Sequence, residues 1–174
     1  MLALRDALSG EEVAQRSASI RRRVLEMAEV KAAKSIFTYV SEGNEVDTRG
    51  IIKALLKLGK IVSVPLITGD GVMEACRILA LGDLAPGKFG ILAPRVPSPV
   101  PAALDVCLCP GVAFTARGDR LGRGKAYYDR FLERLPRLFA VGLCYEIQVV
   151  EEIPTDPSDR RMRCLVTEDR TIIP

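Results

Sequence analysis

Between Arg117 and Arg130 the chain reads Arg-Gly-Asp-Arg-Leu-Gly-Arg-Gly-Lys-Ala-Tyr-Tyr-Asp-Arg, three glycines among five basic residues, closed by a tyrosine pair and an acid. Glycine carries no Cβ, so its backbone N–H can approach a ligand closely. Arg120, Arg123 and Lys125 bring positive charge to one spot, with Gly122 and Gly124 between them. A basic, glycine-rich loop leading into a helix N-terminus is what a polyphosphate requires. Asp129 supplies the oxygen that a Mg²⁺ ion takes beside phosphates. The bland alternative, solvated surface charge, would be preferred for these cations in isolation; their ordered context argues for a ligand.

Composition narrows the chemistry. The chain has no histidine, which excludes Ser-His and Cys-His nucleophiles and His-ligated zinc. What remains is carboxylates, tyrosines, cations, backbone amides and a hard metal. Its 174 residues, 48% apolar, suit one domain over 1–174 with a real core. A net charge of +3 is too small to argue for nucleic acid; the clustering of charge is the informative part. No apolar run approaches the roughly 18 residues of a membrane span, and the N-terminus lacks the basic-then-apolar order of a signal peptide. A cytoplasmic protein is expected. Five irregularly spaced cysteines fit reduced thiols better than a disulfide framework. Cys107 and Cys109 share a strand face but lack a second pair to complete a metal site.

Several elements must position the motif. Ser9 and Glu12 have the spacing of a capping box, and Val13, Ile20, Val24 and Met27 form the stripe of a long helix. Arg21, Arg22 and Arg23 on that helix read as a solvated face. Ser35 to Val40 reads as a strand. A polar loop follows over 41–44, then a helix capped by Asp47 or Thr48, with Ile52, Leu55 and Leu56 inward and Gly59 as its stop. Ile61 to Val64 reads as a strand ended by Pro65. Strand, helix and strand in this order form a βαβ unit with parallel pairing. Val72 to Ala80 is a third strand. Residues 82–102, with five prolines and three glycines, read as an extended loop or, alternatively, a domain boundary. Leu104 to Cys109 is a strand ending at Pro110-Gly111. Tyr128, Phe131, Leu132 and Leu135 then give a helix beginning near Lys125, which turns Tyr128 inward and leaves Tyr127, about 100° away, as the better ligand candidate. Leu138 to Cys144 and Met162 to Thr167 complete the strands.

These residues resemble the 5-formyltetrahydrofolate cyclo-ligase family, the methenyltetrahydrofolate synthetases. The central match is Pro110-Gly111-Val112-Ala113-Phe114, then Gly118 to Lys125, then Tyr127-Tyr128-Asp129-Arg130. Weaker matches flank it in order: Leu4-Arg5, Glu45-Val46-Asp47-Thr48, Gly59 to Pro65, Gly90 to Pro94, and Gln148, Ile153-Pro154 and Asp159.

The resemblance implies a single α/β domain of three layers, a mixed and mostly parallel sheet with helices on both faces. It implies ATP- and Mg²⁺-dependent closure of 5-formyltetrahydrofolate to 5,10-methenyltetrahydrofolate through a phosphorylated formyl intermediate. Such chemistry asks for positioning and charge neutralisation rather than a protein nucleophile, so a histidine-free chain is no obstacle. By resemblance, Arg120, Arg123, Lys125 and Tyr127 are catalytic. ATP contacts fall on Arg5 and on Arg120 to Tyr128: Arg120, Leu121, Gly122, Arg123, Gly124, Lys125, Ala126, Tyr127 and Tyr128. Folate contacts fall on Val40, Glu45, Met73, Arg123, Gly124, Lys125, Ala126 and Tyr127, and Mg²⁺ on Asp129 and Asp159. Glu45 would otherwise read as a solvated loop charge, and Asp159 as a turn residue. The implied partners are small molecules, the folate and ATP, with no nucleic acid, no membrane and a monomeric chain. Met1, Ala93, Ala126 and Ser158 stand where the family pattern has Lys, Glu, Gly and His, which leaves open a different small-molecule acceptor. If position 126 needs a positive φ, alanine there costs about 1 kcal/mol. A basic module gripping single-stranded nucleic acid is a third reading, weakened by few aromatics and interspersed acids.

Overall fold

The computed structural model describes residues 1–98, 100 and 104–174. In chain order the elements are α1 (Leu2–Asp6), α2 (Gly10–Glu26), α3 (Ala28–Ala32), β1 (Ser35–Thr38), α4 (Arg49–Lys57), β2 (Ile61–Gly69), β3 (Val72–Ile78), β4 (Leu84–Pro86), β5 (Leu92–Pro94), β6 (Val106–Cys109), β7 (Ala113–Thr115), β8 (Arg120–Leu121), α5 (Tyr127–Glu133), β9 (Phe139–Leu143), β10 (Val149–Val150), β11 (Cys164–Val166) and β12 (Thr171–Ile172).

Local signals account for the helix ends. Ser9 caps α2 through a full capping box with Glu12. The N–H groups of Gly59 and Lys60 return to the carbonyls of Leu56 and Leu55, and Gly59 takes a φ of +74°, a Schellman stop for α4. Thr48 stands at the N-cap of α4 without capping it. Its hydroxyl instead accepts from the N–H of Ser41 and donates to the carbonyl of Tyr39, which closes the 41–48 loop on itself. Of the three arginines on α2, Arg23 is not merely solvated: it donates to the carbonyls of Glu168 and Asp169.

Seven strands form the main sheet in the order β12-β11-β9-β6-β1-β2-β3. From β11 to β2 all neighbours are parallel; the edge strands β12 and β3 are antiparallel. Side chains alternate across it as a pleat requires. Ile36, Val62, Val106, Leu108 and Val141 pack on one face with Ile20 and Val24 of α2 and with Ile51, Ile52 and Leu55 of α4. Phe37, Cys107, Cys109, Ala140 and Leu165 pack on the other with Phe131 and Leu132 of α5. The result is the expected three-layer α/β domain with helices on both faces.

Two sequence expectations need correction. The strand from Ile61 does not end at Pro65. It runs to Gly69, with Pro65 paired to Ala75 of β3. The parallel ladder with β1 stops at Ser63, so beyond it this side is edge-like, and a residue without an N–H is tolerated. Nor is 82–102 simply extended: β4 and β5 form an antiparallel hairpin there. The remainder of that loop reading, at Pro99, Pro101 and Ala102, falls outside the described residues. A separate small sheet, β10-β7-β8, escaped the sequence reading because its strands are two or three residues long.

Candidate active site

The chain leaves β1 toward β2 on one side and later returns to pair β6 on the other side of β1. This reversal opens a crevice at the carboxyl ends of β1 and β6, where ligands of open α/β sheets bind. A cavity of about 280 Å³ lies there. Tyr39 and Val40 line it after β1, and Pro110 and Gly111 after β6. Pro65, Ile67 and Met73 from the β2–β3 hairpin, with Ile91, form an apolar wall, and Glu42 and Glu45 come from the 41–48 loop. Arg120, Gly122, Arg123, Lys125, Ala126, Tyr127, Tyr128 and Asp129 complete the lining.

The basic motif therefore reaches the cavity, but not as one loop. It divides into a β7–β8 turn, the strand β8, a loop over 122–126, and α5. Thr115 and Asp119 hold the turn, the Thr115 hydroxyl donating to the Asp119 carboxylate at 2.7 Å. Arg117 pairs with Asp119 at 3.6 Å and belongs to that turn. Ala126 enters α5 with φ +49° and ψ +25°, the left-handed region, so the conditional strain raised by the sequence is present.

Arg120 projects from β8 into the protein. One guanidinium nitrogen donates to both carboxylate oxygens of Asp129, at 2.9 and 2.8 Å, and the other to the carbonyl of Pro110 at 3.4 Å. The guanidinium lies 5.5 Å from the centre of the Tyr128 ring. A Cβ on Gly122 would meet Nη1 of Arg120 at 3.0 Å, so glycine there keeps room for this arginine. Two of the three buried side-chain polar atoms that lack a protein partner among the described residues are here: Nε of Arg120 and the Tyr128 hydroxyl. Burial pushes the Tyr128 phenol well above the usual tyrosine range, so that hydroxyl stays protonated.

Glu45 is held by a rigid frame. Its backbone carbonyl accepts from the Tyr145 hydroxyl at 3.1 Å, and that of Val46 accepts from Tyr39 at 3.0 Å. The N–H of Asp47 donates to Ser17 at 2.9 Å. Asn44 donates to the carbonyls of Arg5, Asp6 and Leu8 at the end of α1. The Glu45 carboxylate accepts from the N–H of Glu42 at 3.1 Å and from Arg123 at 3.0 Å. Burial raises its proton affinity, against the lowering effects of that backbone bond, Arg123 and Arg5.

Four sequence candidates do not line the cavity. Leu121 and Gly124, within the motif, are not among its lining residues. Arg5 is buried beside the 41–48 loop, 3.4 Å from Asp6, with its Nε unpartnered. Asp159 lines a different depression, with Asp119, Arg120, Asp156, Arg160 and Arg161, and its carboxylate accepts from the N–H of Asp156 at 2.7 Å. Asp129 and Asp159 line different depressions, but their segments meet: the N–H of Arg160, next in sequence to Asp159, donates to the Asp129 carboxylate at 3.3 Å, while among the described residues no three potential ligands cluster as a metal site. The Asp129 oxygens are engaged by Arg120 and by the Arg160 N–H, so a Mg²⁺ ion held by Asp129 and Asp159 would share them with that arginine. Of the departures, only Ala126 touches the cavity: Ala93 pairs in the β4–β5 hairpin, and Ser158 bonds Asp156 at the surface.

Tyr39, Glu42, Pro65, Ile67, Ile91, Pro110 and Gly111 line the cavity without having been candidates, the last two although they open the central motif. Pro65 and Ile91 lie in the flanking matches to the family, which was the available signal. Tyr39, Glu42 and Ile67 carry none in sequence.

Residues 1–168 match the 5-formyltetrahydrofolate cyclo-ligase family. The chain is 32% identical over 183 residues to the probable 5-formyltetrahydrofolate cyclo-ligase of Schizosaccharomyces pombe, covering 95% of this chain and 90% of that protein. It is 31% identical over 191 residues to the probable 5-formyltetrahydrofolate cyclo-ligase of Caenorhabditis elegans, covering 99% and 91%. The NMR structure of Aquifex aeolicus 5,10-methenyltetrahydrofolate synthetase is similar with a TM-score of 0.88 at 34% identity, over 99% of this chain and 88% of that one.

Proposed function

The chain belongs to the 5-formyltetrahydrofolate cyclo-ligase family, and on that premise we propose that its switch-point cavity uses ATP to close 5-formyltetrahydrofolate into 5,10-methenyltetrahydrofolate. The observation that carries this reading is the pairing of two unlike walls in one cavity. One is a cationic, glycine-spaced loop; the other is apolar, with Glu42 and the fixed carboxylate of Glu45 beside it.

The formyl group on N5 is an amide. Its carbonyl is resonance-stabilised and its oxygen leaves poorly. Transfer of the γ-phosphoryl group to that oxygen breaks the terminal P–O bond of ATP and releases ADP. N10 then attacks the formyl carbon and loses its proton. The C–O bond breaks, phosphate departs with the former formyl oxygen, and the ring closes. Attacking oxygen and nitrogen both belong to the substrate, so the enzyme's task is alignment and neutralisation of developing charge.

Arg123 and Lys125, at the cavity surface, take the phosphates. Arg120, locked to Asp129, adds a fixed positive potential from below. Val40, Ile67, Met73, Ile91 and Tyr127 clasp the pterin, and the Glu45 carboxylate accepts from its N–H edge. A Mg²⁺ ion bound with the nucleotide would be held on the protein side by Asp129 and Asp159 and would help neutralise charge on the transferring phosphoryl group.

Purified protein with 5-formyltetrahydrofolate, ATP and Mg²⁺ is expected to generate the methenyl chromophore, with heavy-oxygen label in the formyl group appearing in phosphate. Folded protein that forms no methenyl product at any substrate level overturns the proposal. Product whose formyl label goes to water removes the phosphorylated intermediate.

A further inference from the structure

We propose that Glu45 withholds Arg123 from the phosphate site of the empty enzyme and releases it when the pterin arrives. The inference rests on the function proposed above and adds an order of events to it.

Arg123 and Glu45 come from opposite walls of the cavity and meet at 3.0 Å. The two partners are unequally free. Glu45 keeps 13% of its side-chain exposure and Arg123 keeps 57%. The backbone around Glu45 is fixed by the hydroxyls of Tyr145, Tyr39 and Ser17 and by Asn44. Arg123 stands between Gly122 and Gly124, the latter at φ +80° with open space around it, so its backbone can swing where that of Glu45 does not. When the pair separates, the arginine is the partner that moves.

Ligand chemistry decides what separates them. A phosphate competes with Glu45 for the guanidinium but is repelled by that carboxylate, so on its own it takes Arg123 only against the cost of breaking the pair. A pterin presents an amino group and an adjacent ring N–H, a pair of donors that complements a carboxylate as a guanidinium does. The pterin therefore substitutes for Arg123 on Glu45, and the freed cation turns to the phosphates. Coupling of this kind is reciprocal: each ligand tightens the other. For an ion pair with one exposed partner the expected effect is roughly twofold to fivefold in affinity.

The test is calorimetric binding of a non-hydrolysable ATP analogue with Mg²⁺ to wild type, Glu45→Gln, Arg123→Ala and the double variant. Without folate, Glu45→Gln is expected to bind the nucleotide roughly twofold to fivefold more tightly than wild type, and Arg123→Ala more weakly. On the Arg123→Ala background Glu45→Gln adds nothing. With 5-formyltetrahydrofolate present, nucleotide affinity rises in wild type and not in Arg123→Ala. Two results overturn the handover while leaving the function intact: Glu45→Gln binding no tighter than wild type, or an equal tightening with Arg123 already removed, which is a field effect of lost negative charge. Wild-type protein that binds no nucleotide at all overturns both. Glu45→Gln is isosteric and Arg123 is exposed, and circular dichroism of each variant confirms that the fold is retained.

Discussion

Removing the Asp129 carboxylate tests whether the cavity floor is held by an ion pair. Asp129→Ala leaves the Arg120 guanidinium, whose side chain is 4% exposed, with only the 3.4 Å bond to the Pro110 carbonyl. Its Nε already lacks an acceptor, so no spare partner stands ready. Removing one member of a buried pair costs about 3–5 kcal/mol, because the other charge stays buried and uncompensated. Arg120 borders a cavity that water can enter, so the lower end, about 3 kcal/mol, applies. For a chain of this size each kcal/mol lowers the melting temperature by about 2–4 °C, giving a fall of about 6–12 °C. Asp129→Asn keeps the shape and one acceptor, and is expected to lose about half as much. The double change Arg120→Met with Asp129→Leu removes both charges and is expected to cost well under the sum of its single changes. The assay is thermal and urea denaturation in metal-free, ligand-free buffer, with the urea slope checked for constancy. A loss below about 1 kcal/mol for Asp129→Ala would refute the reasoning and mean that the carboxylate is kept for a ligand.

Ala126→Gly relieves a left-handed alanine. The conformation costs about 1–2 kcal/mol, partly offset by the greater freedom of glycine in the unfolded chain. A gain of about 0.5–1 kcal/mol is expected in thermal unfolding, and an unchanged or lower melting temperature would contradict it. Asp105 ties the start of β6 to β1, accepting from the N–H groups of Lys34 and Ser35 and from the Ser35 hydroxyl at 2.8, 2.9 and 3.0 Å. The bond from Ser35, chiefly, holds its carboxyl below the usual carboxylate range. A lowered folded value contributes stability above the unfolded value near pH 4 that is lost as pH falls through the folded one. Asp105→Ala is expected to cost about 1 kcal/mol at neutral pH, discounted for exposure. The gap to wild type should narrow under acid; urea midpoints that keep a constant gap from pH 7 to pH 2 would count against this.

What the sequence discloses is what neighbours in sequence decide. The capping box of Ser9 and the Schellman stop at Gly59 are fixed within six residues, and both are legible. The same holds for the apolar runs of β1 and β6, buried throughout. The cationic loop is legible because its residues are consecutive. Its opposite wall is not, because Pro65, Ile67 and Ile91 become neighbours of Tyr127 only once β2 and β3 have been laid beside β1. Pro65 is instructive: proline reads as a strand end, and tertiary position at an unladdered stretch overrides that. Short strands such as β7 and β10 have too few residues for any period to show, and exist because they pair with each other.

Arg120 and Arg123 look equivalent in sequence and have opposite physical fates. Arg120 lies on a strand, where alternation sends it inward onto Asp129; Arg123 follows a glycine, reaches solvent and crosses to Glu45. Nothing local distinguishes them, because each is defined by a partner elsewhere in the fold. The division suits phosphoryl transfer. A cation that is already paired and immobile lends potential without reorganising, whereas a cation that changes partners can respond to what is bound. Lacking histidine, the chain has no side chain that ordinarily titrates near neutrality, so the state of its cavity is set by which anion each arginine faces and by the raised proton affinity of the buried Glu45. The same argument gives Asp129 and Glu45 their contrast: one carboxylate fixes its arginine, and the other can be relieved of its own by a ligand with a matching pair of donors.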